Sequence, residues 1–304
     1  MRVCVVGCGA VGSLFAAALA QLDDVEVWAY DLDEPHVAAI NQHGLRISGA
    51  GELVGRMRAT TRAGELPPCD FGIVAVKSMH TDRALADTAH AFTSGAVCSV
   101  QNGAGNEELI AKHVREVIRG TTFPAGHIVE PGHVGWDTRG DTHIGPFEPS
   151  PASMDEVEAL ADACTRGGLP THALEDARGA QWRKLIFNAA SNSIAALTGL
   201  THGRVAEPPT RDLAWAVMAE GRAVADAQGI VLDQSPEELF DFAARKEIAY
   251  DHKPSMLQDV EAGRQTEIDF LNGAIVDFGE RYGVDAPLNR TLTALVKGLE
   301  RSRE

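Results

Sequence analysis

The run Gly7-Cys8-Gly9-Ala10-Val11-Gly12 constrains this chain most, because three glycines at that spacing suit very few local structures. It follows Val3-Cys4-Val5-Val6, a short apolar run, and leads into Ala10 to Gln21, a stretch of helix-forming residues. The pattern predicts strand, tight turn and helix. Gly7 permits the turn, Gly9 lets the backbone approach a pyrophosphate, and Gly12 lets helix and sheet pack closely. The helix start, with Ala10 and Val11, then offers unpaired N–H groups and a positive dipole end to phosphates. A second strand is expected at Val25 to Tyr30, and Asp31 stands at its end, nineteen positions after Gly12. An acidic side chain there can bond both ribose hydroxyls of NAD and repels the 2′-phosphate of NADP. NADH is therefore the expected cofactor; NADPH stays open, since Arg46, Arg56 or Arg58 could reach a phosphate.

The rest of the first half repeats the alternation. Glu34 to Gln42 reads as a helix closing at His43-Gly44, Phe71 to Val76 and Ala96 to Val100 as strands, and Thr81 to Phe92 as the helix between them. Such alternation implies a parallel, doubly wound sheet. The glycines, prolines and short β-prone pieces from Thr121 to Pro146 suggest a few extra strands, and Ser153 to Arg166 a last helix. From residue 177 onward the strand signal is gone, and helices follow one another with breaks at Gly199, Pro208-Pro209, Gly229, Pro236, Pro254 and Gly283. The expected fold is α/β: a Rossmann-like doubly wound sheet over residues 1–175 and an all-α domain over 176–304. A junction near Leu174 to Gly179, with no linker, is where a substrate cleft is expected.

Charge and composition narrow the partners. A formal net charge of −16 gives no broad footprint for nucleic acid, so an anionic substrate needs a local positive site. Residues Val3 to Leu22 are largely apolar, but the glycines at 7, 9 and 12 argue against a signal peptide. No run approaches the ~20 apolar residues of a membrane span, so no membrane partner and a cytoplasmic location are expected. The five cysteines include no C-x-x-C pair and fit reduced thiols in the core. The eleven histidines show no metal spacing, so no metal is expected.

The candidate chemistry lies in Trp182 to Gly199, a predicted helix ending at a glycine. Lys184, Asn188 and Asn192 recur at i, i+4 and i+8 and share one face. Asparagines are poor helix formers, and two of them in an alanine-rich helix suggest placement for a ligand. A lysine and two amides offer donors for a carboxylate and a keto oxygen, and Lys184 could protonate the oxygen as hydride reaches the carbonyl carbon. The alternative is a solvated lysine with asparagines bonding the neighbouring domain.

GCGAVG at 7–12, VKSMHT at 76–81, QNGAGNEE at 101–108, WRKLIFNAASN at 182–192 and PSMLQDVEAGRQTEIDFLNG at 254–273 together resemble the ketopantoate reductase (2-dehydropantoate 2-reductase) family. The resemblance spans nearly the whole chain in the family's order. It implies reduction of the keto group of ketopantoate by hydride transfer from a nicotinamide cofactor, as in pantothenate biosynthesis. It makes Lys184 the proton donor, Asn188 and Asn192 substrate-holding amides, Ser255 a carboxylate partner, and Glu267 a neighbour of the nicotinamide ribose and substrate hydroxyl. Lys77, Asn102 and Gly126 join the cofactor-binding residues. For the single residues a local alternative stays open: Asn102 before Gly103 as a turn, Ser255 as a helix N-cap, Glu267 paired with Arg264. The chain departs from the family's usual pattern in two places, with Asp31 where a basic residue often follows the second strand and His202 where an asparagine usually precedes the glycine. The competing functions are reduction of another branched or aromatic 2-keto acid and a non-catalytic dinucleotide-binding module. Leu213, Ala216, Val217 and Val224 form apolar stripes that suggest a homodimer, the alternative being a monomer in which they face their own domain.

Overall fold

The opening apolar run forms β1 (Arg2–Val6), whose last four residues are completely buried, as a central strand of a two-sided sheet requires. The computed structural model describes residues 1–303 and contains two compact units. Met1–Gln101 with Asn106–Ala177 makes the first; Asn102–Gly105 with Arg178 onward makes the second.

In the first unit β1 is followed by α1 (Ala10–Leu19), β2 (Glu26–Tyr30), α2 (Glu34–His43), β3 (Leu45–Gly49), β4 (Leu53–Gly55), β5 (Arg58–Thr60) and β6 (Phe71–Val74). Next come α3 (Thr81–Thr88), β7 (Ala96–Ser99), α4 (Asn106–Ile110), β8 (Val117–Thr122), β9 (Ala125–Glu130), β10 (His133–Thr138), β11 (Thr142–Pro146), α5 (Met154–Arg166) and β12 (Thr171–Ala173). The main sheet has the order β12-β11-β8-β7-β6-β1-β2-β5, and the pairs from β5 across to β8 are all parallel. β11 pairs antiparallel with β8, so two strands at that edge run the other way. The strand order reverses between β1 and β6, and beside that switch point, at the carboxyl ends of the strands, open α/β sheets bind ligands.

Alternation along β1 sorts the core. Val3 and Val5 pack toward Leu14, Phe15 and Leu160, whereas Cys4 and Val6 pack toward Leu85, Phe92 and Ile110 on the opposite face. The expected doubly wound sheet is present. Two details differ from the sequence reading. The third expected strand stops at Val74, and the Thr81–Phe92 helix tightens into a 3-10 turn after Thr88. The extra strands expected between Thr121 and Pro146 also divide, because β9 and β10 join β3 and β4 in a second sheet, ordered β4-β3-β10-β9. β3 and β4 are too short and mixed in pattern to stand out in the sequence.

The second unit consists of α6 (Arg178–Thr198), α7 (His202–Val205), α8 (Thr210–Ala227), α9 (Pro236–Ala243), α10 (Ser255–Glu261), α11 (Asn272–Tyr282) and α12 (Pro287–Arg301). It is helical, as expected. α6 is buried on nearly every side and is packed by α8, α9, α10 and α12. Gly221 of α8 faces Ile186, where an added methyl would lie 2.9 Å from Cγ1, so glycine lets these two helices approach. Of the apolar stripe on α8, Val217 and Val224 belong to this unit's own core, while Leu213 and Ala216 face outward. Among the described residues no helix is long and apolar enough to cross a membrane.

Candidate active site

The three glycines of the opening turn have different reasons to be glycine. Gly7 has φ +92°, and a side chain there would meet Val76, 2.6 Å from its Cγ1 and 2.7 Å from its backbone nitrogen. At Gly12 an added Cβ would sit 1.9 Å from the Gly7 carbonyl oxygen. The fold itself needs both. Gly9 has ordinary backbone angles and nothing within 4 Å of an added Cβ, so no protein contact requires its bareness. The open space in front of it, at the N-terminus of α1 with Ala10 and Val11, fits a pyrophosphate approaching the backbone.

Asp31 braces this turn directly. Its Oδ2 accepts from the Cys8 N–H at 2.6 Å and its Oδ1 from the Asp33 N–H at 2.9 Å. The Cys8 thiol is buried beside it, and burial, reinforced by the Asp31 charge, pushes its pKa up. All five cysteines are free and buried. Arg58, one of the basic residues considered for a 2′-phosphate, lies over the Trp28 ring, 5.4 Å from its centroid.

Beyond β6, Lys77 precedes the 3-10 turn Ser78–His80 and its carbonyl accepts from His80 N at 2.8 Å. Gln101 donates to the Val76 carbonyl at 2.8 Å and to Thr81 Oγ1 at 2.7 Å, tying the ends of β6 and β7 together. Val76, next to Lys77 in the chain, thus abuts Gly7 beside the switch point of the sheet. Gly126 sits in the antiparallel ladder opposite Trp136, where a Cβ would lie 2.4 Å from the Gly135 carbonyl oxygen; this strand packing accounts for its glycine.

The second unit gathers the proposed catalytic groups. Lys184 Nζ donates to Asn102 Oδ1 at 2.8 Å. Loss of solvation lowers the amine from its ordinary 10.5 to about 8, although the negative charge of Glu267 pulls in the opposite direction. Asn102 reaches Lys184 because its loop is gripped by the helical unit. Ala104 N donates to the Phe270 carbonyl at 3.0 Å, and Gln181 Nε2 to the Gly103 carbonyl at 3.3 Å. Gly103 has φ +90°, and a Cβ on it would stand 2.2 Å from the Phe270 oxygen. The Asn-Gly pair is therefore a turn that also brings an amide to Lys184. The sequence reading put Asn102 with the cofactor residues and missed Gln181, which lies three positions before Lys184 and faces the same loop.

One and two turns beyond Lys184, Asn188 and Asn192 are 8% and 4% exposed. The Asn188 amide makes no hydrogen bond to another described residue, although it lies in a helix otherwise tightly packed. Asn192 Oδ1 accepts from Ser255 Oγ at 3.2 Å and from Met256 N at 3.1 Å. Ser255 is the first residue of α10, whose N-cap is Pro254, so it is no N-cap; its hydroxyl turns to Asn192. Arg264 pairs with Asp259 at 2.9 Å, which leaves the buried Glu267 facing Lys184.

His202 lies 3% exposed at the start of α7, its ring centroid 5.1 Å from that of Phe187 and 5.6 Å from that of Phe240. Its backbone N–H donates to the His252 carbonyl at 2.9 Å, three residues before Ser255. Burial, with a smaller contribution from His252, lowers its pKa to about 4, so the ring is neutral near pH 7. Its buried Nε2 has no hydrogen-bond partner among the described residues. Among the described residues no cluster of three or more His, Cys, Asp or Glu side chains could hold a metal ion.

Comparison with known proteins covers both units. Residues 3–149 match the family model for "Ketopantoate reductase PanE/ApbA", and residues 176–300 match that for "Ketopantoate reductase PanE/ApbA C terminal". A 2-dehydropantoate 2-reductase of Pyrococcus abyssi is 35% identical over 302 residues, covering 99% of this chain and 98% of the relative. The crystal structure of a PanE/ApbA family ketopantoate reductase from Ralstonia eutropha JMP134 superposes with a TM-score of 0.88 at 31% identity, covering 100% of this chain and 99% of that one. A ternary structure of D-mandelate dehydrogenase with NADH and anilino(oxo)acetate gives a TM-score of 0.89 at 27% identity over 100% of this chain and 99% of that one.

Proposed function

We propose that this chain, which belongs to the ketopantoate reductase family, is an oxidoreductase that reduces the keto group of 2-dehydropantoate to pantoate. The observation that carries the reading is the Lys184 amine bonded to Asn102 and aligned on one helix face with two buried amides, where loss of solvation lowers its pKa. Reduced nicotinamide, when bound at Gly7 to Gly12, supplies the hydride. Asn188, Asn192 and Ser255 offer hydrogen bonds that orient the keto acid and hold its carboxylate. As the carbonyl carbon gains the hydride, its π pair moves to oxygen. Lys184 breaks an N–H bond to protonate that oxygen and is left as the neutral amine, which regains its proton from solvent. Before transfer, its ammonium stabilises the developing alkoxide. The test is oxidation of NADH and of NADPH with ketopantoate and with a panel of other 2-keto acids. Turnover with ketopantoate supports the reading; cofactor binding without turnover on any keto acid leaves the non-catalytic module.

For the cofactor we infer a preference for NADH, from the Asp31 carboxylate at the end of β2. The wild-type kcat/KM is expected to favour NADH by about tenfold or more, corresponding to ~1.4 kcal/mol. Asp31→Asn keeps an acceptor for the Cys8 N–H while removing the charge that repels a 2′-phosphate. The expected result is a narrowed NADH:NADPH ratio with a small fall in Tm, since the amide cannot also accept from the Asp33 N–H; an unchanged ratio contradicts the assignment.

A second reading, an aromatic 2-keto acid as substrate, draws on the neutral His202 ring packed with Phe187 and Phe240 where the family usually has an amide. The similarity to D-mandelate dehydrogenase points the same way. His202→Asn is expected to raise kcat/KM for ketopantoate relative to phenylglyoxylate by several-fold. A ratio that stays constant removes His202 from substrate choice. The outward-facing Leu213 and Trp215 of α8 support a homodimer, and the free cysteines and nicotinamide chemistry support a cytoplasmic setting.

A further inference from the structure

The turn that carries Glu267 is fastened by the far end of the C-terminal helix. Glu300, in the last turns of α12, accepts from the Thr266 backbone N–H at 2.7 Å through Oε1. One turn earlier on the same helix, Lys297 binds both carboxylate oxygens of Asp269, at 2.8 and 2.9 Å. These two contacts bracket Glu267. Just beyond the helix, Arg303 donates to the Val260 carbonyl at the end of α10, so the C-terminal segment grips the chain on the near side as well.

The bracketed turn does more than present Glu267. Its Phe270 carbonyl also receives the Ala104 N–H and abuts Gly103, and this docking sets Asn102 against Lys184. The two groups shown acting on the Lys184 amine, the Glu267 charge and the neutral Asn102 amide, are therefore both anchored on residues 266–270. The contacts are unequal. Lys297 and Asp269 are about half exposed, and a pair of that kind adds little in water. Glu300 makes a charge-assisted bond to a backbone N–H of a residue that is 3% exposed, and that bond is the stronger constraint.

We propose that Glu300 is a positioning residue for the reduction: by holding the Thr266 N–H it fixes the turn that sets Glu267 and Asn102 against Lys184. The assignment rests on Lys184 being the proton donor. A misplacement of about 1 Å near reacting groups can cost on the order of a hundredfold in rate.

The experiment is the pH profile of kcat/KM for NADH-dependent ketopantoate reduction by the full chain as wild type, Glu300→Ala, Glu300→Asp and Glu300→Gln, with the Tm of each. Glu267 raises the Lys184 pKa against the effect of burial. When its turn drifts, the amine loses that support and the basic limb of the profile moves to lower pH. The expected result is a roughly tenfold to hundredfold loss of kcat/KM in Glu300→Ala, with the limb displaced below its wild-type position. Glu300→Asp, which keeps the charge but withdraws it by one methylene and should fold even where alanine does not, moves the limb the same way by less. Glu300→Gln keeps an acceptor for the N–H and restores the wild-type profile. Variants that lower the Tm but leave limb and kcat/KM within twofold of wild type would overturn the proposal and make the contact merely structural. A wild-type profile with no loss of activity through pH 8, or Lys184→Ala with full activity, overturns the reading beneath it instead, and the clamp falls with that reading.

Discussion

Lys184→Ala lowers kcat/KM for ketopantoate by about 10²- to 10⁴-fold, the range associated with loss of a positioned general acid. Cofactor affinity, measured by titrating reduced-nicotinamide fluorescence, stays within a few-fold of wild type, because the glycine turn and Asp31 belong to the other unit. The Tm does not fall, since the change removes an amine whose protonated form is disfavoured by burial. The pH dependence carries the same information with a definite sign. A proton donor must hold its proton, so wild-type activity is full below about pH 8 and declines as pH rises through that value. An ordinary surface lysine would keep its proton to about 10.5 and give no such limb. Activity that survives in Lys184→Ala, or a profile flat through pH 8, would remove Lys184 from the chemistry.

The second large effect concerns Gly9, where the requirements of fold and ligand separate. Gly12→Ala would place a methyl 1.9 Å from the Gly7 carbonyl oxygen, so that variant confuses unfolding with loss of binding. Gly9→Ala places its methyl in open space at ordinary backbone angles. It is therefore expected to fold with an unchanged Tm, yet to bind NADH at least tenfold more weakly because the methyl occupies the path of the pyrophosphate. That is a loss of at least ~1.4 kcal/mol of binding free energy. Unchanged affinity in a folded Gly9→Ala variant would mean that the dinucleotide does not lie over this turn.

The parts of this molecule that local rules govern were legible in the sequence. β1, the glycine turn and α1 follow from a short apolar run, three glycines and a helix-forming stretch, and α6 follows from its composition and its end before Gly199. What escaped was set by contacts distant in sequence. β3 and β4 are five and three residues long and pair with each other, and their sheet is completed only when β10, with β9 beyond it, comes back to β3. Nothing around Asn102 says that its loop joins the helical unit, because the carbonyl that fixes Gly103 belongs to Phe270. Glu267 has Arg264 three residues away, the natural partner on a helix surface, but Arg264 turns to the buried Asp259 and the residues around Glu267 form a 3-10 turn. Asp31 shows the reverse case. It was singled out for a ribose, and the structure adds a bond to Cys8 N that ties the candidate cofactor ligand to the turn beside it.

The central claim is that a lysine made acidic by burial protonates a keto acid reduced by a nicotinamide bound at the opening turn. Its most direct test is the initial rate of NADH oxidation by ketopantoate with the purified chain, measured across pH. The account predicts turnover that is level at neutral pH and falls through about pH 8, with NADH preferred over NADPH. Binding of both cofactors without turnover on ketopantoate at any pH would contradict it.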